Sequence, residues 1–338
     1  MNRIIIFSLG LGIQGLTGLS HSEESFFKED PAKEHNQHIL DACIANTVKS
    51  APPESTVKQL RDLCSKNVHT PTYSRVLFEE EAKHNPFAIL PHKPNYILPF
   101  TQASANEEPY EEFIQDQKLD NQEAKFQISI KFLAAEGVWT PGLNVNVAFT
   151  AISWWQTYNK EVSAPFRETN YEPELFLSYT RPWSLLGMDI IYSSLSINHQ
   201  SNGQSGSLSR SWNRIIGTLG FNHGNLLWST SAWYRLPEDE KENAEDTIGD
   251  DNPDIEKYLG YGEFAIIWKL PRTHNLDAFI RNNLRSENKG SIELGWSFPL
   301  TNHLRGYVQY FNGYGESLID YNHSTERFGI GVKLTDWL

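Results

Sequence analysis

After its first twenty residues this 338-residue chain has no apolar run near the ~18 residues that a membrane-crossing helix requires. A helical membrane protein is thereby excluded. A membrane β-barrel is not, because its strands alternate apolar and polar residues and carry no long hydrophobic stretch. Positive charge is also scarce: Lys plus Arg total 29 against 42 Asp plus Glu, a net charge of −13. Nucleic-acid binding, which needs a basic face against phosphate, is a poor fit. Hydrophobic residues make up only 39%, low for a large soluble enzyme built around one core. Cysteine is limited to Cys43 and Cys64.

What is present begins with an export pattern. Arg3 supplies a positive start, Ile4 to Ile13 a short apolar stretch, and Gly18 and Ser20 small residues before a cleavage point. Residues 1–20 therefore read as a signal peptide. Residues 21–92 read as a short helical periplasmic extension. One helical stripe runs through Ile39, Leu40, Cys43, Ile44 and Val48, and a second through Val57, Leu60, Leu63 and Cys64. Pro52 and Pro53 break the chain between them, and Ser55 is placed to cap the second helix. In an oxidising compartment a Cys43–Cys64 disulfide is expected to pin the two. Closing such a loop is worth roughly 3 kcal/mol in the chain-entropy picture.

From about Tyr96 the hydrophobic period becomes two. Leu143, Val145, Val147 and Phe149 alternate with Asn144, Asn146, Ala148 and Thr150, and Phe328, Ile330, Val332 and Leu334 alternate with Gly329, Gly331, Lys333 and Thr335. About twelve such segments start near residues 96, 125, 143, 173, 186, 211, 225, 255, 274, 289, 303 and 325. Each is about ten residues, the length that crosses an outer membrane at a tilt. The expected class is all-β: a twelve-stranded antiparallel transmembrane barrel over residues 93–338. Trp154, Trp155, Trp183, Trp212, Trp233, Trp296 and Trp337 lie near segment ends, as interface girdles do. The acidic stretch Glu238 to Asp254 reads as a solvated loop. The soluble alternative is a β-sandwich with the apolar face inward.

Chemistry concentrates between Asn198 and Arg214. His199 and Ser201 are two apart on an expected strand and share a face. An imidazole and a hydroxyl so placed can act as base and nucleophile. Their face also carries Ile191, Leu195 and Ile197, and Asn213 shares its face with Ile215 and Leu219 on the next strand. If the apolar face meets lipid, so do these three polar residues, a costly arrangement without a function. Asn213 can fix the tautomer of His199 through its amide oxygen. The competing reading is a polar strand end followed by an Asn-Gly turn.

The chain resembles the outer membrane phospholipases A of Gram-negative bacteria. The resemblance rests on His199-x-Ser201-Asn202-Gly203, Ser209 to Arg214, Ser153 to Gln156, Pro165 to Pro173, Asp250 to Asp254 and Gly313 to Asn322. It covers about residues 85–338 and leaves out the cysteine-containing extension. The resemblance implies Ser201 as nucleophile, His199 as general base, Asn213 as its orienter and the Gly203 N–H as oxyanion donor. It further implies a homodimer with calcium at the interface, held by the carbonyl of Gln204, the hydroxyl of Ser209 and the carbonyl of the partner's Ser163. Asp251 matches a second calcium position. Two departures stand out. Gln204 replaces an arginine common in the family, which a backbone ligand tolerates, and Ala151 replaces an interfacial glutamine, so one dimer hydrogen bond is expected to be missing.

The function expected is calcium-dependent hydrolysis of phospholipid acyl esters in the bacterial outer membrane. The alternative is a non-enzymatic barrel, a pore or adhesin. It leaves the outward polar trio unexplained, and twelve strands enclose only a narrow lumen. Arg167, Glu168 and Glu172 read as solvated or lumenal charges rather than substrate contacts.

Overall fold

The computed structural model describes residues 90–335 apart from 105, 112–117, 162–164, 182, 244–245, 247–248 and 302–303; before residue 90 it describes 40, 41, 44, 48, 51–52, 54–68, 79, 85 and 87–89. The strands, in chain order, are β1 (Leu90–Pro91), β2 (Asn95–Ala103), β3 (Gln122–Ala135), β4 (Leu143–Trp155), β5 (Phe166–Tyr179), β6 (Trp183–Leu185) and β7 (Met188–Ser201). They continue as β8 (Ser211–His223), β9 (Leu226–Arg235), β10 (Gly262–Lys269), β11 (Asn275–Asn282), β12 (Gly290–Pro299), β13 (Arg305–Tyr314) and β14 (Ser324–Thr335).

All pairings between the described strands are antiparallel, and β14 pairs with β2 while β3 pairs with β4, so the sheet closes on itself. The two shortest strands are extensions of neighbours: β1 continues β2 along β3, and β6 continues β5 along β7. Fourteen strands less these two give a twelve-stranded barrel. Closure satisfies every strand edge, which is what lets β-structure stand in hydrocarbon.

Alternation decides which side faces where. On β3, Glu123, Lys125, Gln127, Ser129 and Lys131 are buried inside, whereas Ile128 among them and Phe132 just beyond are exposed. Val147, Phe149, Leu294, Trp296, Phe328 and Ile330 likewise point outward. A soluble sandwich would bury these residues; here the apolar face is the outer one.

The lumen holds charge paired with charge. Arg167 Nε donates to Glu123 at 2.6 Å and Arg167 Nη1 to Asp320 at 2.8 Å. Arg327 contacts Glu316 at 2.7 Å and Glu123 at 2.9 Å, and Lys125 reaches Glu316 at 3.2 Å. Arg167, Glu168 and Glu172 are thus lumenal and buried. What remains is a cavity of about 430 Å³, lined by both charged and apolar side chains. The longer connections, 104–121, 156–165, 202–210, 236–261, 283–289 and 315–323, all lie at one end. There Trp212, Trp233, Ile255, Leu259, Leu318 and Tyr321 form an apolar lid, and Tyr110, Leu119 and Ile319 a second cluster.

Two strands start elsewhere than the pattern suggested. β5 begins at Phe166, seven residues before the expected 173. Its first half alternates Arg167, Thr169 and Tyr171 with Glu168, Asn170 and Glu172, so no apolar stripe announces it. β10 begins at Gly262, because residues expected to open it form the helical turn α2 (Glu256–Leu259), drawn inward by Ile255 and Leu259. Trp155, Trp183 and Trp296 are exposed as a girdle requires, but Trp154, Trp212 and Trp233 are buried. The Trp212 and Trp233 indole N–H groups donate to Gln200 and to the Gly260 carbonyl, which explains the inward placement. Trp337 lies outside the described residues.

In the extension, helix α1 (Val57–Val68) forms as expected, and Leu40, Asp41, Ile44 and Val48 are helical. The cap is Thr56 rather than Ser55: Gln59 N donates to Thr56 Oγ1 at 3.3 Å while Thr56 N donates to Gln59 Oε1 at 2.8 Å, a reciprocal capping box. Cys64 is fully buried and disulfide-bonded. Cys43 and the segment 1–20 lie outside the described residues.

Candidate active site

His199 and Ser201 close β7, and Ser211 and Asn213 open β8. The register places His199 opposite Asn213 and Ser201 opposite Ser211. In the outward row of β7, Leu195 and Ile197 are exposed and His199 and Ser201 half-buried. Ile191 departs from that row: a bulge between Ile190 and Tyr192 shifts the alternation, and Ile191 lines the lumen.

His199 Nδ1 lies 2.8 Å from Asn213 Oδ1. With the amide oxygen as acceptor, Nδ1 carries the proton and Nε2 is left as a base. Ser201 and His199 share the outward face two residues apart, and among the described residues no side-chain hydrogen bond joins them. Such contacts often tighten only when substrate binds. On the β5 side, Tyr171 pairs with Ser201 and Glu174 with Asn198, and the ladder skips Pro173, which would face His199. Proline has no N–H to give there. Ala151 pairs with both Ile128 and Tyr171, so it occupies the same outward row as Ser201.

Behind this neutral face the same strands turn charge inward. Arg214 Nη2 donates to Asn198 Oδ1 at 2.7 Å and to Glu172 Oε1 at 3.1 Å, and Lys93 reaches Glu172 Oε2 at 2.6 Å.

The 202–210 loop is organised by Asn202, which is buried. Its Nδ2 donates to the Leu208 carbonyl at 2.8 Å and to Glu168 Oε2 at 3.3 Å, and its Oδ1 accepts from Arg210 N at 3.0 Å and Gln204 N at 3.3 Å. Gly203 follows with φ +67°, in the left-handed region that glycine tolerates. Among the described residues its N–H donates to no acceptor of the chain. It is a spare donor one residue beyond Ser201's neighbour.

Ser209 Oγ and Ser211 Oγ each donate to Asp251 Oδ2 at 2.9 Å, and Lys241 pairs with the other carboxylate oxygen. Ser209 and Asp251, which the resemblance implies as two separate calcium positions, are therefore adjacent, hydroxyl against carboxylate. Gln204 is exposed on the same loop, and Ser163 lies outside the described residues. Among the described residues there is no group of three or more His, Cys, Asp or Glu suited to a metal. A hydroxyl and a carboxylate side by side are hard oxygen donors and fit calcium rather than a softer ion.

The stretch 238–254 is not a free solvated loop. Asp250 pairs with Arg235, Asn252 is fully buried and accepts from Ser211 N at 3.0 Å, and Tyr321 donates to Asp254 at 2.6 Å. Glu238, at its start, accepts from Asn213 Nδ2 at 2.9 Å. That contact was invisible in the sequence, since Glu238 is 25 residues from Asn213 and carries no motif.

A closed barrel, apolar outside and charged inside, with a hydrolase-like His, Ser and Asn on its outer wall, defines a membrane-embedded β-barrel hydrolase. Comparison with known proteins gives the family. The sequence pattern described as Phospholipase A1 matches residues 73–334, and the chain belongs to that family. It is 38% identical over 286 residues to Phospholipase A1 of Escherichia coli K12, covering 84% of this chain and 92% of that one. It is 37% identical over 262 residues to a putative phospholipase A1 of Neisseria meningitidis, covering 75% of this chain and 65% of that one. The solved outer membrane phospholipase A from Escherichia coli superposes with a TM-score of 0.69 at 39% identity, covering 75% of this chain and 94% of that one. The Salmonella typhi outer membrane phospholipase, solved as a dimer with bound calcium, gives 0.70 at 37% identity, covering 77% and 97%.

Proposed function

We propose that this chain hydrolyses acyl esters of membrane phospholipids in the bacterial outer membrane. The observation that carries the reading is the His199–Asn213 contact of 2.8 Å on the lipid-facing side of a phospholipase-family barrel. Ser201 Oγ attacks the ester carbonyl while His199 Nε2 takes its proton. The tetrahedral oxyanion points at the Gly203 N–H. His199 then gives the proton to the leaving lysophospholipid oxygen, leaving an acyl-enzyme. Water, deprotonated by the same imidazole, releases the fatty acid and restores Ser201. Asn213 keeps the ring in the tautomer this cycle needs.

The dimer and calcium complete the proposal. The carbonyl of Gln204, the hydroxyl of Ser209 and the carbonyl of the partner's Ser163 would hold the ion, with Asp251 at a second position. When bound, calcium supplies positive charge beside the developing oxyanion. Residues 1–20 serve export, and residues 21–92 form a periplasmic segment stapled at Cys64.

Fatty acid release from mixed micelles, with calcium and with excess chelator, tests this on wild type beside Ser201→Ala. Wild type should be active only with calcium, and Ser201→Ala should lose roughly 10⁴-fold or more of turnover while keeping a heat-resistant barrel. Near-normal hydrolysis by the variant would remove Ser201 from the role.

A further inference from the structure

We propose that Glu238 is a positioning residue of the active site, acting on His199 through Asn213; this rests on the phospholipase reading above. Asn213 is held at both ends of its amide: Oδ1 lies 2.8 Å from His199 Nδ1, and Nδ2 donates to Glu238 Oε1 at 2.9 Å. An amide offers one acceptor end and one donor end, and its two orientations are nearly equal in shape. An ionised carboxylate only accepts. Glu238 therefore selects the orientation in which the amide oxygen faces the imidazole. Were the amide turned over, Nδ2 would face Nδ1, and His199 would keep its proton on the nitrogen meant to act as base.

The chain delivers Glu238 to this place by backbone contact. Leu236 N donates to the Asn213 carbonyl at 2.8 Å, extending the β8–β9 pairing beyond Arg214 and Arg235. Pro237 then fixes one backbone angle between that anchor and Glu238. Glu238 is half-buried. Among the described residues no lysine or arginine pairs with it, in contrast to Asp250 and Asp251 in the same connection. Its charge is left for the Asn213 amide. When His199 becomes imidazolium, the aligned amide dipole and the carboxylate beyond it both favour the new charge. A neutral orienter on the lipid side thus borrows negative charge kept at the loop edge.

The test measures kcat and KM on purified full-length protein in mixed micelles at saturating calcium. The variants are Glu238→Ala, Glu238→Gln, Asn213→Ala and the double variant Asn213→Ala/Glu238→Ala, with Ser201→Ala alongside. Glu238→Ala should lower kcat about tenfold, part of the roughly 10²–10⁴ that a positioned base supplies, with KM and the calcium midpoint unchanged. Glu238→Gln keeps an acceptor and should lose less. In the Asn213→Ala background, Glu238→Ala should cost nothing further, because the residue it acts through is gone. A loop-stabilising role would give additive losses or a shifted calcium midpoint. Either result, or full kcat in Glu238→Ala, overturns the proposal. An active Ser201→Ala would instead overturn the assignment of the nucleophile, and the two failures are thereby told apart.

Discussion

The two faces of β7 and β8 differ by one residue step and by almost everything else. Asn198, Gln200 and Arg214 point inward and join Glu172 and Lys93 in a hydrogen-bonded charge network. His199, Ser201 and Asn213 point outward beside Ile197 and Ile215 and carry no formal charge when His199 is neutral. The difference follows from solvation. Inside the barrel an ion can find a counter-ion; on a wall against hydrocarbon it cannot, and an unpaired charge there is expensive. An aspartate opposite His199 would stabilise the imidazolium better than Asn213 but would cost more to present to lipid. The outer face presents neutral groups, and the inner face holds together the strands that position them.

Breaking the outer face should affect turnover and spare stability. His199→Ala should remove the base and lower kcat by roughly 10⁴-fold or more, with the thermal midpoint close to wild type. Breaking the inner face should do the reverse. Arg214→Ala leaves Glu172 short of one of its two cations. It should cost roughly 3 kcal/mol of stability, read as a lower unfolding midpoint, while activity per folded molecule stays within a few-fold. An unchanged midpoint with lost activity would mean the inner network serves catalysis directly.

Asn213→Ala tests the middle of the comparison. It should reduce kcat by roughly 10- to 100-fold, since orientation is lost and the base remains. A loss equal to that of His199→Ala would mean that Asn213 does more than orient. Acid should act on the inside first. Burial alone would raise the Glu316 carboxyl, but Arg327 and Lys125 outweigh it and hold Glu316 at about 2 against an ordinary 4.5. A depressed folded-state value stabilises above the unfolded one and is lost as pH falls. The unfolding midpoint should therefore drop between about pH 4.5 and 2, and a flat profile there would count against the network. The smallest effect is expected from Ser209→Ala, which should raise the calcium concentration for half-activity several-fold, because one neutral ligand is removed from several. An unchanged midpoint would remove Ser209 from the ion.

Strand positions were legible where an apolar row alternates along most of one face: β4, β8 and β14 start within a residue of their expected places, although Asn213 interrupts the outer row of β8 and Glu326 that of β14. β5 was not, because its inner face carries Glu168, Asn170 and Glu172 and its outer face is interrupted by Pro173. The His199, Ser201 and Asn213 trio was legible because a period of two fixes a shared face within one hairpin. Glu238 and the convergence of Ser209 with Asp251 were not, since both depend on how a long connection folds back over the barrel end. The inward turn of Trp212 and Trp233 was hidden for a similar reason: their partners Ile255, Leu318 and Tyr321 come from connections far along the chain.

With Ser201 as the proposed nucleophile, its outward placement also sets the dimensionality of the reaction. A site inside a cleft meets its substrate by diffusion through water and is governed by how much substrate is dissolved. A site on the outer wall of a membrane barrel meets lipid that diffuses in two dimensions, and is governed by how much substrate lies in the leaflet it faces. The groups proposed to complete the site, Gly203 on the 202–210 loop and Glu238 on the 236–261 connection, sit where that wall meets the loops at one end of the barrel.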